Sequence, residues 1–439
     1  MKNLFLTRRF FYLFWGCVLL FIFSLMVSWL IAVAIVSVMV IVASTLTEIA
    51  MLYSAKGITA ERILPEKFSN GNDNPVQILF ENRYSFPVKL RIYEDYPVQF
   101  QIRDGGFDVS LARNEAKHLN YSLKPLKRGE YIFGYVNTLV TGPLGLVYRR
   151  FRTCKDQKVA VYPSFLQMRR FELMAVSNRL TEIGIKKIRK AGTSAEFEHI
   201  RPYVQGDDPR KVNWQATARR GDLMVNNYQD ERSQQVYCLV DKGRVMKMPF
   251  EGMSLLDYAI NASLVLLNTA MIKGDKAGLI TFSNQISNIV PAERRPTQMN
   301  KIMEVLYNQR TFYKESDYEI LYATAKLKIT QRSLLILFTN LETIEGLKRQ
   351  LFFLRKLARH HLLVVVIFEN TEMNSLLESS PKTLEDIYIK TIAEKFKLDK
   401  RLLVRELEQF GIHSILTTPG NLTVNVINKY LELKARGSM

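Results

Sequence analysis

Cysteine is nearly absent. Three in 439 residues are too few for a disulfide framework, and Cys17, Cys154 and Cys238 offer no pair at metal-ligand spacing. The five histidines form no His-x-x-x-His ladder, so a zinc site has no support. There is no Gly-x-x-x-x-Gly-Lys-Ser/Thr phosphate loop, no Gly-x-Gly-x-x-Gly after a strand, no His-Glu-x-x-His and no Gly-x-Ser-x-Gly elbow. No internal repeat or low-complexity tract stands out. Acid is also scarce: 42 acidic against 61 basic residues leave a formal charge of +19 and a pI near 9.6. That surplus points to an anionic partner, whether a lipid surface, an acidic protein or nucleic acid. The charge is spread widely, with one dense run at Lys186, Lys187, Arg189 and Lys190, which a solvated basic face explains as well as a ligand does.

What the chain does have is a long apolar opening. From Phe10 to Tyr53 the only charge is Glu48, and a bilayer span takes about 20 residues. Residues 1–54 are therefore expected to form two membrane helices turning at residues 24–28. A cleaved signal peptide would show an apolar stretch of only about 7–15 residues. Lys2, Arg8 and Arg9 precede the first span, Lys56, Arg62 and Lys67 follow the second, and the turn has none. Under the positive-inside rule both ends, and the mass that follows, belong in the cytoplasm of a cell with an inner membrane.

Residues 55–163 alternate in short segments such as 76–80, 88–93 and 131–136. They are broken by Asn70-Gly71, Asp104-Gly105-Gly106 and Thr141-Gly142-Pro143. This predicts an antiparallel β-sandwich, immunoglobulin-like, serving as spacer or docking module. Residues 164–232 read as a linker, with a helix or extended lead over 164–190. Over 233–439 strands and helices alternate: strands at 235–241, 277–282, 333–339, 362–368 and 413–416, and helices at 254–273, 297–308, 318–328, 345–359, 383–397, 400–410 and 424–435. Near-continuous apolar strands such as 334–338 require cover on both faces, so the expected class is a doubly wound, Rossmann-like α/β domain.

The most patterned stretch is 192–241. Gly206-Asp207-Asp208 reads as a tight turn, Asp208 as the cap of a helix over 209–220 with Pro209 at its first position. Arg219 and Arg220 sit at its carbonyl end, with Gly221 as left-handed cap, and a strand follows at 223–228. Asp207 and Asp208 find structural use here ahead of catalysis, and Trp214 is expected to anchor a core. The pattern Glu196-Phe197, Arg201-x-Tyr203, Gly206-Asp207-Asp208-Pro209-Arg210, Asn213-Trp214, Ala218-Arg219, then an apolar strand ending in Asp241, resembles the bacterial "domain of unknown function 58" family. The turn at 127–131 and the segment 142–146 also look like that family's β domain. The resemblance implies a membrane hairpin, a β domain and a von Willebrand factor A-like domain.

In such domains the strand tips hold a divalent ion, usually magnesium, in an Asp-x-Ser-x-Ser motif helped by a Thr and an Asp. Set against it, Asp241 stands where the family of folds has its Asp, but Gly243 and Val245 replace the two hydroxyls, and Lys242 and Arg244 add positive charge. Thr339 is followed by Asn340 where an Asp is usual, and Ser316-Asp317 could supply oxygens from the middle loop. A hard cation wants a fuller oxygen shell. No metal or other cofactor is expected, and Asp241 is expected to pair with Lys242, Arg244 or another base. The reading is a non-enzymatic, membrane-anchored scaffold. The resemblance implies a MoxR-type AAA+ ATPase partner, and other membrane-bound von Willebrand A-like proteins, in complex assembly or envelope stress. Candidate contacts are Asp241, Lys242, Arg244 and Met246, with Asp207, Asp208, Arg210 and Trp214 as a second element. The alternatives are a basic binder of anionic lipid or nucleic acid, and a divalent-dependent adhesion or hydrolase domain using Asp241, Ser316, Asp317 and Thr339.

Overall fold

The computed structural model describes residues 3–27, 29–54, 57–102, 105–176, 195–204, 207, 209–230, 233–311, 313–369 and 383–437. The chain divides into two compact units, Met1–Tyr162 and Pro163–Met439.

The first unit opens with two helices, Arg8–Ser24 and Leu30–Tyr53, packed on each other. Thr7 caps the first, its hydroxyl accepting from Phe10 N. Large apolar side chains on both, Trp15, Ile22, Val36 and Met39 among them, are more than half exposed. At about 1.5 Å per residue the 24-residue helix reaches about 36 Å, more than a hydrocarbon core of about 30 Å needs. By length and apolarity Leu255–Ile272 passes the same test. That helix lies inside the second unit's core, however, where Ala259, Ile260, Ala262 and Val265 are inaccessible.

Three sheets follow. The largest runs Leu4–Leu6, Val147–Thr153, Val136–Thr141, Val88–Glu94, Gly106–Leu111, all neighbours antiparallel. A second joins Ile58–Ile63, Asn74–Asn82 and Ala116–Leu123; a third joins Lys67–Ser69, Gln157–Tyr162 and Gly129–Phe133, with one parallel pair. Strict alternation of buried and open positions along Val88–Glu94 puts Leu90 and Ile92 in a core with Ile78, Phe80 and Tyr84. Burial of each such side chain contributes roughly 1.5–3 kcal/mol. Strand Leu4–Leu6 has no counterpart in the sequence reading: three residues carry no periodicity, and only its partner across the sheet makes it a strand.

Glu48, the one acid of the apolar opening, is wholly buried. Its carboxylate accepts from Gly145 N and Leu146 N at 2.8 Å each and from Val147 N at 3.2 Å. Gly145 turns at φ +74°, and a Cβ on Gly142 would come within 2.7 Å of Glu48 Oε1. The turn 142–147 is thus shaped as a cradle of backbone donors.

The second unit is built on a six-stranded sheet in the order Ile286–Glu293, Lys276–Phe282, Gln235–Asp241, Leu334–Phe338, Leu362–Phe368, His413–Thr417. All pairs are parallel except the first. Val236, Cys238 and Val240 pack on one face with Leu255–Ile272, Gln298–Tyr307 and Leu422–Ala435. Tyr237 and Leu239 pack on the other with Tyr318–Lys328, Ile344–His360 and Leu384–Gln409. Helices on both faces make the unit doubly wound.

Several boundaries differ from expectation. The antiparallel edge strand Ile286–Glu293 was not foreseen; it carries Pro291, which an edge position tolerates. Helices expected at 383–397 and 400–410 are one helix, Leu384–Gln409, with a capping box of Thr383 and Asp386. Nothing between them breaks helical phase, and Ala393, Leu403 and Leu407 share its buried side. The helix expected over 209–220 is a 3-10 turn, Pro209–Lys211, followed by Trp214–Arg220. The chain is pulled extended between them, where Val212 bridges Val225 and Asn213 N donates to Met224 O at 2.8 Å. Asn213, rather than Asp208, caps the helix, its Oδ1 accepting from Ala216 N at 3.0 Å. Gly221 ends it at φ 83° as the left-handed cap. Met224–Asp230 pairs with Ala195–Pro202 in a hairpin. A helix does follow residue 164, at Phe165–Val176. Gly206, Asp208 and the basic run 186–190 lie outside the described residues.

Candidate functional site

Asp241 ends a strand buried on both faces, and its carboxyl group is inaccessible. The register pairs Val240 with Phe338, so Thr339 comes level with Asp241 and donates from Oγ1 to Oδ2 at 2.7 Å. Ser316 arrives on a loop pinned across the strand tips, where Arg244 N donates to Lys314 O and Asp317 N to Ser283 O, each at 2.9 Å. Ser316 Oγ donates to Asp241 Oδ1, which also accepts from Gly243 N at 2.7 Å. Tyr318 OH lies 2.7 Å from Thr339 Oγ1. Because the Thr339 proton is given to Asp241, Tyr318 is the donor in that pair. The result is a relay from Tyr318 to Thr339 to Asp241.

Burial pushes the Asp241 carboxyl above its ordinary range, while the bonds from Ser316, Gly243, Thr339 and Tyr318 pull it back. Tyr318 is pushed well above the usual phenol value by burial and by the neighbouring carboxylate. Among the described residues no base forms an ion pair with Asp241, so the expected partnership with Lys242 or Arg244 is overturned. A strand tip this deep favours short neutral donors over long cationic side chains, which would have to be desolvated.

Gly243 has its own reason. A Cβ there would fall on Ser316 Oγ and lie 3.1 Å from Asp241 Oδ1. Ser316 therefore occupies the room that a side chain at 243 would take. The oxygens offered are one carboxylate and the hydroxyls of Ser316 and Thr339; Gly243 and Val245 offer none, and Val245 packs against the core.

The other candidates are dispersed. Asp317 caps Tyr318–Lys328, its Oδ1 accepting from Glu319 N at 2.8 Å and Ile320 N at 3.1 Å. Asn340 Oδ1 accepts from Lys400 Nζ at 2.7 Å, and Leu341 O accepts from the same amine at 2.6 Å. Burial lowers Lys400 to about 8. Lys242 is buried as well, and burial holds its amine below the usual lysine value. Met246 is wholly buried in the core, which removes it from any contact surface. Arg244 is exposed, and beside it an exposed shelf carries Lys247, Tyr313 and Lys314, with the Lys247 amine over the Tyr313 ring.

In the hairpin insertion Asp207 holds Arg201 through two bonds, at 2.7 and 2.8 Å, and accepts from Val204 N at 3.0 Å. Its use is to fix the turn. Trp214 is 70% exposed, the reverse of the core anchor expected, because it opens a helix whose seven residues include none that is buried. Arg210 is exposed too. Sequence reasoning missed Tyr318 and Lys400. An aromatic at the start of a helix reads as core, and a lysine within the run Lys395, Lys397, Lys400, Arg401 reads as solvated.

Residues 199–397 match the family described as "Protein of unknown function DUF58". Over those residues the chain is similar to that family. The DUF58 stretch runs from the hairpin insertion through Asp241, Ser316 and Thr339 and into the last long helix. Over 256 residues the chain is 25% identical to the uncharacterized protein YeaD of Bacillus subtilis (strain 168), an alignment that covers 55% of this chain and 60% of that protein. Neither description names a catalytic activity.

Among solved structures, conserved hypothetical protein BatB from Bacteroides thetaiotaomicron is 12% identical, with 46% of this chain and 100% of that one covered at a TM-score of 0.32. The CARDB domain of PF1109 from Pyrococcus furiosus, in complex with di-metal ions, is 18% identical, with 24% of this chain and 91% of that one covered at 0.17. At those scores neither likeness carries an argument.

Proposed function

We propose that this protein is a membrane-anchored, non-enzymatic interaction protein of the DUF58 family. Its second unit is a von Willebrand A-like module in which internal hydrogen bonds replace the metal ion. The observation that supports this reading is the saturation of Asp241: both carboxylate oxygens already accept bonds from Ser316, Gly243 and Thr339. A hard divalent ion takes about six oxygens and several negative charges, and this donor set fits it poorly. What the strand-tip edge offers instead is a rigid floor beneath Arg244, Lys247, Tyr313 and Lys314. Basic groups around an exposed aromatic suit an acidic protein surface. Trp214 and Arg210 form a second contact element, since exposed Trp and Arg are the side chains most often decisive in interfaces. A MoxR-type AAA+ ATPase is the partner class implied by the resemblance, with other membrane-bound von Willebrand A-like proteins beside it and the immunoglobulin-like unit as spacer.

The anchor reading rests on connectivity within the first unit. Leu4–Leu6, before the helix pair, is hydrogen-bonded to Val147–Thr153, after it. Both ends of the pair therefore emerge on one side, and the basic residues there make that side the cytoplasm.

Co-purification of the detergent-solubilised chain from its own cells tests the scaffold. An AAA+ ATPase is expected with the wild type and reduced by Arg244→Glu with Lys314→Glu, or by Trp214→Ala. Lys242, being buried, is unsuitable for charge reversal. Recovery of the ATPase unchanged by all three substitutions sinks the docking surface. Heat of binding on titration with magnesium or manganese sinks the metal-free site and favours the divalent-dependent alternative.

A further inference from the structure

A second interaction surface lies on the first unit. Arg8 and Arg9 open the helix Arg8–Ser24. Arg149, Arg150 and Arg152 lie on Val147–Thr153, whose register sets Leu4 opposite Arg149 and Leu6 opposite Val147. The chain passes from that pairing straight into the first helix. The second helix returns to the same level: Arg149 Nη1 donates to Leu52 O at 2.6 Å, and its guanidinium lies 4.2 Å from the centre of the Tyr53 ring. Residues 3–54 and 147–153 hold a single acid, Glu48, and it is buried and bonded to backbone N–H groups.

Among the described residues none of these arginines forms an ion pair with an acid, and Arg150 Nε is buried with no partner. Phe5 stacks on Tyr148 at 5.9 Å, with Arg150 5.4 Å from the Phe5 ring. Guanidinium groups without an acid partner, interleaved with aromatic rings, thus gather where two helices with exposed apolar faces begin and end. Guanidinium binds phosphate oxygens in bidentate fashion, and basic side chains next to a membrane span favour anionic lipid.

We infer that Arg8, Arg9, Arg150 and Arg152 form a binding surface for the phosphate groups of anionic phospholipids, holding the β unit against the bilayer. Arg149, bonded to Leu52 O on the opposite face of the strand, ties that surface to the end of the second helix. This rests on the reading of the helix pair as membrane-spanning.

The test uses the full chain in nanodiscs of phosphatidylcholine with or without phosphatidylglycerol, with co-retained lipid read by native mass spectrometry. Selective retention of phosphatidylglycerol is expected. Arg150→Gln with Arg152→Gln should weaken it about tenfold or more, while Lys348→Gln with Arg349→Gln, two exposed changes on the second unit, should leave it unchanged. Equal retention of both lipids, or no loss in the Arg150/Arg152 variant, overturns the proposal. So does displacement of the lipid by inorganic phosphate at equal concentration, which marks a soluble-anion site. Should that variant fail to fold, salt titration of the wild type decides, since retention indifferent to salt is incompatible with a charge-based surface. Release of the wild type from membranes by alkaline carbonate instead sinks the membrane-spanning reading. A chain that stays in the membrane without lipid preference sinks only the arginine surface.

Discussion

Each unit holds a buried carboxylate that no cation neutralises, Glu48 in the first and Asp241 in the second, and the two are satisfied in opposite ways. Glu48 is held by backbone donors, three N–H groups of one turn. Asp241 is held mainly by the side-chain hydroxyls of Ser316 and Thr339, brought from two places in the sequence, with Tyr318 behind Thr339. A backbone cradle depends on conformation: it needs Gly142 for closeness and Gly145 for its left-handed turn, and it cannot be altered one donor at a time. A hydroxyl shell depends on side-chain identity and can be taken apart residue by residue. The first arrangement is a joint; the second is a core that has absorbed a polar group. Neither carboxylate uses a cation, although other buried acids do: Glu94 pairs with Arg62 at 2.7 Å and Asp275 with Lys434 at 2.9 Å.

The sharpest test of this contrast is Glu48→Ala. It strands three donors at once, at about 1–3 kcal/mol each, so a loss of about 3 kcal/mol or more is expected in unfolding of the detergent-solubilised chain. Glu48→Gln, with one carbonyl oxygen left, should fall between. A negligible effect of both would abolish the distinction between joint and core.

Next in size is Gly243→Ser, expected to cost about 1–3 kcal/mol by overpacking. Combined with Ser316→Ala, which clears the collision, it should cost less than the sum of the two single changes. Strict additivity in that double-mutant cycle would mean that Gly243 and Ser316 do not compete for one space.

Tyr318→Phe removes only the outermost donor of the relay and should cost about 1 kcal/mol, measured by hydrogen exchange of the 236–241 amides. The smallest effect is a pH dependence. Burial raises the Asp241 carboxyl, so this group makes the second unit most stable below the unfolded carboxylate value of about 4. That increment is lost as pH climbs through the folded value. Asp241→Asn should flatten the profile, and an unchanged profile would assign the titration elsewhere.

How much of this was legible in the sequence depended on whether a residue's partner lay near it in the chain. Leu334–Phe338 and Leu362–Phe368 announce a covered parallel sheet because apolar runs need no distant partner to be recognised. Gly221 announces a helix end for the same local reason. Asp241, Ser316 and Thr339 could be nominated, since strand tips collect loops, but their mutual bonds could not, and a base was expected where hydroxyls stand. Asn213 was passed over as a cap because Asp208-Pro209 is the stronger local signal, and the bridge from Val212 to Val225 outweighs it. Leu4–Leu6 and the meeting of Glu48 with residues 145–147 are set by contacts across about a hundred residues or more, beyond the reach of any window on the sequence. Ile286–Glu293, by contrast, pairs with its chain neighbour Lys276–Phe282 and was missed because its exposed edge lacks a continuous apolar run.

The strand Leu4–Leu6 also orders events during synthesis. Its hydrogen-bonding partners at 147–149 do not exist until both helices and most of the β strands have left the ribosome. The earliest-made strand of the first unit is therefore among the last to find its place, so that sheet closes only after the helices ahead of it have been delivered to their own surroundings.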